Sequence, residues 1–217
     1  MESPILAALT ETERREFLTL AHRRRFAKGE VLFHEGDPGD TMHLLVKGHV
    51  AIRISTPLGD VATLRILRPG EFFGELAIIS PSPRSATVVA LDVVETLAVH
   101  KSQLDELRAR LPAVDGVVIE ALATEVRRLA GALTDALYLP SDKRVLRRLQ
   151  DAAEIFGRDD TPADVVPLTQ EELAQIAGVT RETANRILRR AEESGHLRMA
   201  RGKVEILDHD ALARLSR

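Results

Sequence analysis

The stretch Phe73-Gly74-Glu75-Leu76-Ala77-Ile78-Ile79-Ser80-Pro81-Ser82-Pro83-Arg84-Ser85-Ala86-Thr87 has the makeup of a loop and short helix that hold one anionic ligand. Gly74 lets backbone approach a ligand without a Cβ in the way. Glu75 follows as an acceptor suited to a hydroxyl. Nine residues on, Arg84 offers a planar fork of donors that matches a phosphate bidentately. Ser85 adds a hydroxyl and a backbone N–H. A second reading of the same residues makes Arg84 a structural ion-pair partner of Glu75, with no ligand.

On either side of this stretch, from about Arg25 to His100, short β-branched runs alternate with glycine turns such as Lys47-Gly48 and Arg68-Pro69-Gly70. Val50, Ile52 and Ile54 alternate with Ala51, Arg53 and Ser55, as do Ala62, Leu64 and Ile66 with their neighbours, so each run predicts a strand with one apolar face. Thr87–Ala90 and Val93–Val99 read as further strands. Together they predict a small antiparallel roll, interrupted by the opening motif. A helix is expected over Lys101–Arg110, and a longer one from Pro112 to about Leu139. In the longer helix Ile119, Leu122, Val126, Leu129, Leu133 and Ala136 follow spacings of 3, 4, 3, 4 and 3. That rhythm suits a two-helix dimer seam or, failing that, packing on the domain's own core. Tyr138-Leu139-Pro140-Ser141-Asp142 predicts a break, with Ser141 or Asp142 capping the next helix.

Composition narrows the function classes. The chain of 217 residues has no cysteine, which excludes disulfides, thiol catalysis and cysteine-ligated metal sites. Aromatics are 3%, too few for base-stacking platforms on single strands. No apolar run approaches the ~20 residues of a membrane span, and Met1-Glu2-Ser3-Pro4 lacks signal-peptide character, so a cytoplasmic protein is expected. The histidines show no metal-ligand spacing. No triad, paired-carboxylate site or Walker loop supports an enzyme. Residues 140–217 carry 14 Lys and Arg against 14 Asp and Glu, so any DNA-binding face must be a local patch.

Such a patch is legible past the polar connector Gly157–Pro162. Thr169 and Glu172 form a capping box opening one helix. Gly178 permits a sharp turn, and Thr180 can cap a second helix running through Arg181-Glu182-Thr183-Ala184-Asn185-Arg186. This is a helix-turn-helix pattern. Leu197–Ala200 and Lys203–Leu207, flanking Arg201-Gly202, read as a β-hairpin wing. Arg181, Glu182 and Arg186 are placed to read base edges in the major groove. Thr169, Gln170, Thr180, Thr183, Arg201 and Lys203 are placed for phosphates.

In the order of these motifs the chain resembles the CRP/FNR family of bacterial transcription regulators over essentially its whole length. The resemblance implies an α+β homodimer: an antiparallel cyclic-nucleotide-binding β-roll with flanking helices in residues 1–111, a dimerisation helix in 112–139 and a winged helix-turn-helix in 140–217. It implies cAMP as effector and double-stranded DNA bearing a palindromic TGTGA-type site as target. RNA polymerase is the further partner, with neither metal nor membrane involved. By carry-over, Glu75 takes the ribose 2′-hydroxyl, and Arg84 and Ser85 take the cyclic phosphate. Gly74, Leu76 and Ala77 belong to the same cradle, and Ile52 and Leu64 line the base side. Arg181, Glu182 and Arg186 match residues that read the half-site. In the cyclic-AMP receptor branch a Thr-Ser pair on the long helix contacts adenine, and Leu129 and Ala130 stand at the matching positions here. Their side chains offer adenine no hydrogen bond. They therefore keep open a ligand-independent regulator whose pocket is vestigial or takes another effector. A nucleotide-binding module acting on a partner protein is the third reading.

Overall fold

Capping residues and strand register decide where the elements begin and which faces they bury. The computed structural model describes residues 4–7, 9–57, 59–157 and 164–216. Met1–Ser3 and most of the Gly157–Pro162 connector lie outside the described residues. The chain divides into two units, Met1–Ile54 with Arg65–Leu129, and Ser55–Leu64 with Ala130–Arg217.

In the N-terminal part, helices α1 (Pro4–Ala7) and α2 (Glu11–Leu20) lead into strands β1 (His22–Phe26), β2 (Val31–Phe33), β3 (Thr41–Lys47), β4 (Val50–Ser55), β5 (Val61–Leu67) and β6 (Phe72–Phe73). Helix α3 (Leu76–Ile79), strands β7 (Thr87–Ala90) and β8 (Val94–His100), helix α4 (Lys101–Arg110) and the long helix α5 (Pro112–Tyr138) follow. Thr10 and Glu13 cap the start of α2 reciprocally. The strands form two antiparallel four-stranded sheets, ordered β1-β8-β3-β6 and β2-β7-β4-β5. The expected roll is present, with α3 interrupting it.

Strand β3 is buried on both faces, so it reads as a run and not as an alternation. Met42 and Leu44 join a core with Phe17, Ile78, Leu104 and Leu107, supplied mainly by the helices. Leu45 faces the other way, into a core with Val50, Phe73, Val88 and Val94. Strand β5 departs from the expected apolar face of Ala62, Leu64 and Ile66. Thr63, Ile66 and Leu67 are buried whereas Leu64 is exposed. As an edge strand it is held to strict alternation on neither side.

Helix α5 runs in one piece, and much of its apolar stripe is bare: Ile119, Val126, Leu129 and Leu133 are between 42% and 66% exposed. Leu122 is half-buried.

In the second unit, helix α6 (Ser141–Phe156), strand β9 (Val165–Val166), helices α7 (Gln170–Ala177) and α8 (Arg181–Glu193), strands β10 (Leu197–Ala200) and β11 (Lys203–Ile206), and helix α9 (His209–Leu215) share one core. Val145, Leu149 and Phe156 of α6 pack with Leu173, Leu188, Leu197 and Leu212, all buried. Gly178 closes α7 in the left-handed region at φ 61°, and the Thr180 hydroxyl accepts the Thr183 N–H to open α8. The expected cap on α6 is corrected: Pro140 takes the cap position in extended geometry, with no side-chain cap. Its fixed φ suits that entry, and its carbonyl accepts the Arg144 N–H at 2.9 Å, so Ser141 and Asp142 fall inside the first turn. The wing is three-stranded, because β9 pairs with β11.

Candidate functional site

Arg84 is held by residues far from it in sequence. Its backbone N–H donates to the Asp37 carbonyl at 2.8 Å, and its carbonyl accepts from Gly36 N–H at 2.9 Å. Nη1 donates to the Gly74 carbonyl and Nη2 to Thr41 Oγ1, both at 2.9 Å. The guanidinium carbon lies 4.1 Å from the centroid of the Phe33 ring, a cation–π contact. The side chain is 5% exposed, and its buried Nε has no hydrogen-bond partner. Burial pushes its pKa down, while Asp40, Asp37 and Glu75 pull it back up. A guanidinium stays charged throughout. A buried cation with an unused N–H is chemistry suited to an anion.

Two glycines admit this arrangement. A Cβ on Gly74, at φ 83°, would meet Arg84 Nη1 at 2.7 Å and the Thr41 carbonyl at 3.0 Å. A Cβ on Gly39 would fall 2.2 Å from the Ala77 Cβ. Both are cradle positions that any side chain would fill.

Glu75 sits at the start of α3, half-buried. Burial raises its carboxyl above the usual range, Glu125 adds to the rise, and Arg65 and Arg84 oppose it. Among the described residues no ion pair joins Arg84 to Glu75; the terminal nitrogens of Arg84 donate instead to Gly74 and Thr41. Ala77 is buried, Ser85 and Leu76 are exposed, and Ile52 is half-buried. Leu129 and Ala130 are exposed on α5. Leu64 and Ala130 fall in the second unit, so the geometry given for the site is that of the first.

Three groups around Arg84 are not singled out by the sequence: Thr41, Phe33 and His43. His43 is buried, stacked on Phe73 at 5.2 Å, with Nδ1 3.2 Å from Thr96 Oγ1 and Nε2 3.5 Å from Thr41 Oγ1. Burial, then Arg84 and Arg24, push its pKa from 6.5 to about 4. The sequence carries one local sign of this shell, the glycine-rich turn Gly36-Asp37-Pro38-Gly39-Asp40.

In the second unit Arg181, Glu182 and Arg186 are all exposed on α8. Glu182, Asn185, Arg186, Arg189, Arg190 and Glu193 line one shallow surface hollow along that helix. Arg181 Nε lies 4.0 Å from Glu171. The hydroxyls of Thr169 and Thr180 serve as helix caps. Gln170 Nε2 donates to Met199 Sδ at 3.4 Å, against the wing. Thr183 is half-buried, and Arg201 and Lys203 are exposed at the wing tip. Among the described residues, no group of three or more His, Asp or Glu is gathered as for a metal ion, and no helix is long and apolar enough to cross a membrane.

Residues 23–110 match the family model of the cyclic nucleotide-binding domain, and residues 143–215 that of the Crp-like helix-turn-helix domain. The chain is 33% identical over 194 residues to a CRP-like cAMP-activated global transcriptional regulator of Mycobacterium tuberculosis, covering 88% of this chain and 87% of that one. It is 30% identical over 204 residues to the cyclic AMP receptor protein of Thermus thermophilus, covering 94% and 92%. In fold it is similar to a solved c-di-GMP responsive global regulator of Xanthomonas campestris, with a TM-score of 0.80, 21% identity and coverage of 91% and 99%.

The His43 environment makes a pH prediction. Its folded pKa of about 4 lies below the ordinary 6.5, so the fold favours the neutral ring. The associated stability is present above pH 6.5 and is lost as pH falls towards 4. The gap amounts to about 3 kcal/mol. Urea unfolding at pH 7 and pH 4.5 should show most of that loss in the native protein and a much smaller one in His43→Gln. Equal losses in both would contradict the assignment.

Proposed function

The chain belongs to the CRP/FNR family of bacterial transcription regulators, and on that premise we propose that it is a homodimeric, sequence-specific DNA-binding regulator controlled by cAMP. The observation that carries the effector half is Arg84, a buried guanidinium with an unpartnered Nε in a glycine cradle. In this reading Arg84 takes the cyclic phosphate with Ser85, and Glu75 takes the ribose hydroxyl as a carboxylate, the form in which it only accepts. The cyclic nucleotide-binding match over residues 23–110 and the names of the relatives support a cyclic nucleotide, and cAMP among them.

The output half rests on the exposed Arg181, Glu182 and Arg186 of α8. Arg donates bidentately to guanine O6 and N7, and Glu accepts from cytosine N4. Two copies of this helix in a symmetric dimer would make the site palindromic, and a TGTGA-type half-site is what the family resemblance implies. The bare stripe of α5 supports a dimer seam, since four large apolar side chains in coiled-coil register seek a second helix. RNA polymerase is the partner through which such a regulator acts, in the cytoplasm. An effector moves this switch only by its differential affinity for the two states.

Leu129 and Ala130 favour a second reading, a regulator that binds DNA without cAMP. Calorimetric titration of the full protein with cAMP and with cGMP separates the two. The first reading expects saturable heat with cAMP, at one site per protomer. Silence from both nucleotides, with promoter binding intact, would leave the second. On the DNA side, Arg186→Ala should relax discrimination at one base pair of the half-site by ~1–3 kcal/mol. Unchanged selectivity across all positions would argue against direct readout by this residue.

A further inference from the structure

Behind Arg84 the first unit holds a short chain of hydrogen-bonding side chains. Thr41 and His43 stand two residues apart on β3 and so share one face of that strand. Thr41 Oγ1 lies 2.9 Å from Arg84 Nη2 and 3.5 Å from His43 Nε2. On the other side of the ring, His43 Nδ1 lies 3.2 Å from Oγ1 of Thr96, which is fully buried on β8. Phe73, the cross-strand partner of His43 on β6, stacks on the imidazole at 5.2 Å with 6° between the planes. Phe33, whose face carries the Arg84 guanidinium, stands 6.1 Å from the same ring. The aromatic rings thus hold the imidazole in place between Thr41 and Thr96.

What each group is able to donate assigns the protons along this chain. A guanidinium only donates, so Thr41 Oγ1 accepts from Arg84. The Thr41 proton is then left for His43, whose Nε2 carries a lone pair while Nδ1–H faces Thr96. The ring is neutral, as this arrangement requires, because burial, with Arg84 and Arg24 and against Asp40, lowers its pKa to about 4. We propose that His43 and Thr41 are positioning residues of the anion site: His43 turns the Thr41 hydroxyl so that its lone pair meets Arg84, and Arg84 is thereby aimed at the cyclic phosphate. The Gly74 carbonyl holds Nη1 while Thr41 holds Nη2, so the fork is fixed at both tips. An arginine ordered in advance gives up less rotamer freedom when the anion arrives. The inference rests on the nucleotide reading above and names the groups that prepare its phosphate end.

The test measures cAMP affinity by calorimetry on the full protein and on variants whose folding is confirmed by urea unfolding. Thr41→Val, which keeps the shape and removes the hydroxyl, should weaken cAMP about threefold to tenfold, the worth of one hydrogen bond. Thr41→Ser should restore most of that loss. His43→Phe, which keeps a ring, should weaken cAMP on its own and have no further effect in the Thr41→Val protein, because His43 acts through Thr41. Nitrogen NMR of the native protein at pH 7 reads the His43 half without any variant: the proton should sit on Nδ1, with Nε2 unprotonated. A proton on Nε2 overturns the proposal. So does a Thr41→Val protein that binds like the native one, a Thr41→Ser protein as weak as Thr41→Val, or a His43→Phe loss that persists in the Thr41→Val protein. Each of these leaves the nucleotide reading intact. Native protein that does not bind cAMP overturns that reading, and this proposal with it.

Discussion

The buried guanidinium of Arg84 is the constraint on which the N-terminal roll depends. Burying a cation costs several kcal/mol unless it is paired or hydrogen-bonded. The chain meets that cost with a carbonyl, a hydroxyl and an aromatic face from three separate segments, Gly74, Thr41 and Phe33. The turn from Gly36 to Asp40 is clipped to the Arg84 backbone, and Gly39 and Gly74 have no side chain because there is no room for one. His43 is kept neutral in the same shell, where a second buried cation beside Arg84 would be unfavourable. Position 84 thus organises loops that look like plain turns, and it does so while its Nε–H is left without a partner.

The second unit manages its positive charge differently. Asp135 accepts from both Arg147 and Arg148, at 2.7 and 2.8 Å, and Arg147 also reaches the Ser216 carbonyl. Arg144 gathers the carbonyls of Leu139, Ala177 and Gly178, the kind of helix-end acceptors a cation satisfies well. These arginines are used internally. Those of α8 stay exposed on one face, which is how a unit with balanced charge presents a basic surface to DNA.

Local chemistry was the legible part of the sequence. Thr169 with Glu172, Gly178 and Thr180 each act within four residues, so the helix-turn-helix could be read almost to the residue. Strand β7 lies at the residues its β-branched run marks. The shell of Arg84 was not legible, because Thr41 is 43 positions away and carries no local sign of its role. Strand β1, His-Arg-Arg-Arg-Phe, has no apolar alternation to betray it and is defined by its pairing with β8. The cap of α6 misled for a simpler reason: Ser141 and Asp142 are good cap residues, but Pro140 already held the extended geometry one position earlier. Glu125 is similar. Within α5 it reads as an ordinary surface charge, and only the fold brings Arg65 to it.

The central claim is that occupancy of the Arg84 cradle governs DNA binding. Fluorescence anisotropy with a duplex carrying a palindromic TGTGA-type site, with and without saturating cAMP, tests it on the native protein and on Arg84→Gln. The account predicts that cAMP tightens DNA binding by native protein about tenfold or more, within the usual range of allosteric coupling. Arg84→Gln should keep the cAMP-free affinity and lose the response. Native protein that binds the duplex equally well with and without cAMP would contradict the account.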